Sequence, residues 1–91
     1  KNWVSLRTVP VVLINSGRKI TINALLDDAS TTSYISEVIA NELKLEGRPS
    51  SVSIGVIGGE RQEMYGKDVA FDLESIDGQT KTRIVALSVK T

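Results

Sequence analysis

Three glycine-bearing turns cut the chain into extended arms, and they constrain its fold more than any other feature: Asn15-Ser16-Gly17-Arg18, Gly58-Gly59 and Asp77-Gly78. Glycine reaches the positive φ angles of tight hairpin turns at no steric cost, so each site reads as a reversal between paired strands. Val9–Ile14 and Lys19–Leu26 flank the first turn. Ser51–Val56 leads into the second, whose descending arm passes Met64, Tyr65 and Gly66. That arm continues as Val69, Phe71 and Leu73 alternating with Asp68, Ala70, Asp72 and Glu74, the period of a half-buried strand. Arg83–Val89 returns after the third turn. With only 4% aromatic residues, the interior is built from Val, Ile and Leu, of which the β-branched pair favours sheet.

One segment breaks this pattern. From Glu37 to Leu45 the apolar residues Val38, Ile39, Leu43 and Leu45 recur at helical spacing, with Ser36 placed as N-cap and Gly47 just past the end. Val38, Ile39 and Leu43 are expected in the core. Tyr34 and Ile35 form a short extended piece before this helix, and Pro49 marks the exit. Lys1 to Thr8, with Trp3, reads as an edge strand or as an arm reaching a partner. The 91 residues suit a single domain, 1–91, with no interdomain linker.

The chain contains neither cysteine nor histidine. This removes disulfides, Cys/His zinc sites and any Ser or Cys nucleophile activated by histidine, and leaves carboxylates as the foremost of the remaining acid–base groups. Eleven basic and eleven acidic residues cancel, so nucleic acid is not an expected partner. The longest apolar runs are too short to span a membrane, and no signal peptide is expected. Lack of cysteine suits a reducing, cytoplasmic setting.

Against that background Leu25-Leu26-Asp27-Asp28-Ala29-Ser30 stands out, because an apolar strand runs directly into two adjacent acids. An ionised carboxylate at a buried strand end is costly unless it is hydrogen-bonded or put to use. Taken alone, adjacent acids are more simply a solvated turn. Ser30, Thr31 and Thr32 read as local hydrogen-bonding residues, and Glu60, Arg61 and Glu63 as a solvated face.

The order of these features resembles the retropepsin-like aspartic peptidases, most of all the peptidase domain of BEL/Pao-type retrotransposon polyproteins. Leu25-Leu26-Asp27 matches the family's two apolar residues before the catalytic aspartate, and Ile54-Gly55-Val56-Ile57-Gly58-Gly59 resembles its flap. The resemblance implies a small closed β barrel with one short helix and a flap hairpin, pairing as a homodimer in which each subunit contributes Asp27. Asp28, Ala29 and Ser30 would form the active-site loop; Gly55, Val56, Ile57, Gly58 and Gly59 would cover the substrate. No cofactor or metal is implied, the substrate is the element's own polyprotein, and the setting is the cytoplasm or retroelement particles. The chain departs from the family in three ways. Asp28 stands where Thr or Ser is usual, Ala29 stands where Gly is usual, and the family's C-terminal apolar-apolar-glycine segment, second helix and interface strand have no counterpart. An acid after the aspartate is in keeping with the BEL/Pao branch. The alternative expectation is an inactive module of the same fold that grips extended peptides by strand addition or mediates assembly.

Overall fold

The computed structural model describes residues 7–26 and 32–90. Its elements in chain order are strands β1 (Arg7–Asn15), β2 (Arg18–Leu26) and β3 (Tyr34–Ser36), helix α1 (Glu37–Glu42), then β4 (Gly47–Ile57), β5 (Glu60–Ser75) and β6 (Lys81–Val89). All three hairpins expected from the glycine turns form: β1–β2, β4–β5 and β5–β6 are antiparallel pairs. At the first turn Ser16 and Gly17 both take positive φ, 48° and 79°, the conformation that matches the twist of flanking strands.

Strand β5 organises the sheet. Its first half pairs with β4 and its last residues pair with β1 along the same edge, while β6 occupies the other edge. The sheet runs β2-β1-β5-β6-β3, with β4 attached to β5 beside this path. Strand β3 is a three-residue parallel addition to β6, Tyr34 opposite Leu87. The expected closed barrel is therefore corrected to an open sheet. Among the described residues no ladder joins β2 to another strand beyond β1, and β3 is too short to carry closure.

The main core cluster lies on one face of the sheet, and Leu87 and Val89 of β6 are buried as well. Val11 and Leu13 of β1, Val69 and Phe71 of β5 and Ala86 of β6 are buried together with Ile35, Ala40 and Leu43. Alternation explains the set: the paired register aligns Leu13 with Leu73 and Phe71 with Ile84 on one side of the pleat. Leu43 is fully buried, whereas Val38 is 63% exposed. The expectation that Val38 belongs to the core is thus corrected, because a helix of six residues turns only one face, Ile39 and Ala40, toward the sheet, followed there by Leu43 at its C-cap.

Helix α1 begins as expected and ends differently. The Ser36 hydroxyl accepts a hydrogen bond from the Val38 amide at 3.2 Å, a standard N-cap interaction. At the far end Leu45 N–H donates to the Ala40 carbonyl and Lys44 N–H to the Asn41 carbonyl, the paired bonds of a Schellman ending. Lys44, at φ 58°, takes the left-handed position. Gly47 does not end the helix but opens β4, pressed so close to β5 that a Cβ would stand 1.9 Å from the Asp68 carbonyl oxygen. Pro49 sits inside β4, which tolerates it because, among the described residues, that strand pairs on one side only.

Candidate functional site

Asp27, Asp28, Ala29 and Ser30 lie outside the described residues, as do Trp3 and most of the N-terminal stretch. What the structure does fix is the approach to the acidic segment and the exit from it. Strand β2 ends at Leu26, paired with Arg7 of β1. Along it the side chains alternate, Ile20, Ile22 and Ala24 half-buried and Lys19, Thr21, Asn23 and Leu25 exposed. On the far side the Ser33 carbonyl accepts from the Leu87 amide at 2.9 Å, which anchors the start of β3 to β6.

These two flanks border one concavity of about 650 Å³. Ala24 and Leu25 form one wall, Thr32 and Ser33 belong to the other, and the floor is apolar, with Phe71 and Ile84 of the sheet. Asp27 and Asp28 fall in the sequence between these two flanks.

The glycine-tipped hairpin is long and lightly supported. Strands β4 and β5 pair from Ile57–Glu60 at the tip to Gly47–Val69 at the base, but β6 joins β5 only from Lys67 onward. Among the described residues the distal arm is thus two-stranded. Between Ser53 and Gly55 the register shifts, leaving one extra residue on β4, a bulge that bends the arm and strengthens its twist. Gly55, Gly58 and Gly59 have φ of 132°, 59° and 82°, and a Cβ at any of them would meet nothing within 4 Å. Their requirement is conformational, and open space is left beside the backbone. The backbones of Val56 and Ile57 complete the β4 side of the tip.

Farther down, Tyr65 donates its hydroxyl proton to Glu63 at 2.7 Å; that hydrogen bond and the adjacent negative charge raise the phenol's pKa above its ordinary value. Gly66, where the arm meets the body, has no room for a side chain, since a Cβ would stand 1.7 Å from the Ser88 carbonyl oxygen. The sequence carried no sign of this role for Gly66, because the constraint comes from a strand more than twenty residues away. Glu60, Arg61 and Glu63 are exposed as expected. Among the described residues no group of His, Cys, Asp and Glu is placed to hold a metal ion, and no helix is long and apolar enough to cross a membrane.

Compared with family models, curated proteins and solved structures, the chain finds no match.

Proposed function

We propose that the chain is an aspartic endopeptidase of the retropepsin type that processes a retrotransposon polyprotein and works as a homodimer. The observation that carries this reading is that the two described flanks of the acidic segment, Ala24-Leu25 before it and Thr32-Ser33 after it, line one apolar concavity. The long hairpin with glycines at its bulge and tip supports the same reading, since a substrate cover must approach a peptide backbone closely and reopen.

In this mechanism the two Asp27 carboxyls meet across the dimer axis and share one proton, because two close negative charges are costly. The ionised partner takes a proton from water as it attacks the peptide carbonyl, and the protonated partner donates to the carbonyl oxygen. Asp28 braces the loop beside the dyad. The hairpin tip supplies backbone hydrogen bonds to an extended peptide and excludes bulk water.

The test is cleavage of a mixed peptide pool at several pH values over a range of enzyme concentrations. Turnover is expected on the acid side of neutral, rising faster than linearly with enzyme at concentrations where monomer predominates. Asp27→Asn is expected to lower the rate by about 10²–10⁴-fold or more with an unchanged circular dichroism spectrum. A variant that cleaves at the parent rate would overturn the proposal.

A further inference from the structure

Among the described residues the outer edge of β2 is paired with no strand. A two-residue turn closes on the pair Asn15–Arg18, which in such hairpins exchanges both backbone hydrogen bonds, so β2 bonds to β1 through its even-numbered residues. The amides and carbonyls of Lys19, Thr21, Asn23 and Leu25 therefore point away from β1. Among the described residues no strand receives them, and all four side chains are exposed.

Natural sheets blunt such edges with proline, bulges or several charges. Strand β4 shows these devices on its own free edge: Pro49, Arg48 and the bulge before Gly55. Strand β2 has no proline and no bulge across nine residues, and its charges are confined to the turn end. The contrast between two edges of one sheet marks β2 as an edge kept open.

Two further observations fix the chemistry of what would fit. The inward residues Ile22 and Ala24 border the apolar concavity of about 650 Å³, so a strand laid along β2 would set every second side chain beside that apolar surface. Every charge within residues 7–26 is positive: Arg7, Arg18 and Lys19. Opposite charges facing each other across neighbouring strands attract, and like charges repel.

The geometry points to β2 as a strand-addition site for an extended peptide of a partner protein, with aliphatic residues at alternate positions and acidic residues beside Arg18 and Lys19. The main-chain ladder would supply affinity and the alternate aliphatic side chains selectivity. The site is separate from the glycine-tipped hairpin, and the inference stands whether or not the chain hydrolyses peptides.

The test uses the Asp27→Asn chain, so that no probe is consumed. The probe is a peptide of alternating valine and threonine with two glutamates at its C-terminal end, which antiparallel addition places beside Arg18 and Lys19. Saturable binding is expected, with amide shifts centred on Lys19, Thr21, Asn23 and Leu25. Replacing the glutamates by lysines should weaken binding about tenfold at low salt. N-methylating one alternate set of peptide amides should abolish binding, while methylating the other set should spare it. Thr21→Pro, which removes an outward amide that the β1 ladder does not use, should weaken binding at least tenfold with the fold intact by circular dichroism. The inference is overturned by no saturation at about 1 mM peptide, by equal effects of the two methylations, or by shifts centred elsewhere. It is also overturned if the β2 resonances move with protein concentration alone, since that would make a second copy the occupant.

Discussion

Lys44 holds a left-handed backbone at φ 58°, a region that costs a side-chain-bearing residue energy and glycine almost none. It stays there because the Schellman bonds fix the helix end and because Leu45 must turn back onto the core. Lys44→Gly is expected to raise stability by about 0.5–1 kcal/mol, measured as a higher urea midpoint at unchanged slope. Asp77 shows a different local device. Its carboxylate accepts from the Ser75 hydroxyl at 2.7 Å and from the Gln79 amide at 2.9 Å, and these bonds lower its pKa below the ordinary 3.8. The folded state thus favours the ionised form, so its contribution is present above the unfolded pKa and is lost as pH falls through the lower folded value. Asp77→Asn should remove that small acid-side dependence, seen as a flatter melting temperature profile below about pH 4.

At the scale of elements, the β4–β5 hairpin divides at Gly66. Beyond it, β5 is held by β6 on one edge and on the other by β4 as far as Val69 and by β1 from Asp72; toward the tip, among the described residues, the two strands pair only with each other. Local opening is easiest where few apolar contacts cover exposed backbone bonds. Amide hydrogens from Val52 to Met64 are therefore expected to exchange at least about tenfold faster than those from Val69 to Leu73, a contrast that hydrogen exchange read by NMR would check. Equal protection along β5 would show that the arm is braced by something the ladder does not include. The sequence made these hairpins legible because their reversals depend on glycines with extended neighbours, a purely local requirement. It misplaced the end of α1 because Lys44 does what Gly47 was expected to do, and nothing in a lysine announces a left-handed angle. Val38 was misassigned because helical spacing shows which residues share a face, not how little of a short helix the sheet covers. The candidate site was legible only as an order of parts. Acid, glycines and spacing are visible in the chain, whereas the apolar concavity draws on residues as distant as Ala24 and Ile84.

At the scale of the molecule, closure was the expectation that failed, since whether a sheet meets itself depends on contacts between elements far apart in sequence. The side chain of Asn15 is one such long-range tie. Its amide donates to the Leu43 carbonyl at 2.9 Å, joining the first hairpin to the helix end and satisfying a carbonyl that the helix leaves free. Asn15→Ala should cost about 1 kcal/mol, seen as a lower urea midpoint, and Asn15→Asp should not restore the bond, because a carboxylate has no proton to give.

The pairing of Val11 with Ser75 has a consequence for biosynthesis. The inner edge of the β1–β2 hairpin, which is complete at Leu26, waits for Asp72–Ser75 of β5, roughly 50 residues later, and at about 5–20 residues per second this takes on the order of 2.5–10 s. During that interval the hairpin is complete in its own ladder yet bare on one side. The nascent chain is thus most exposed to chaperones, and to wrong partners, when its first third is already built.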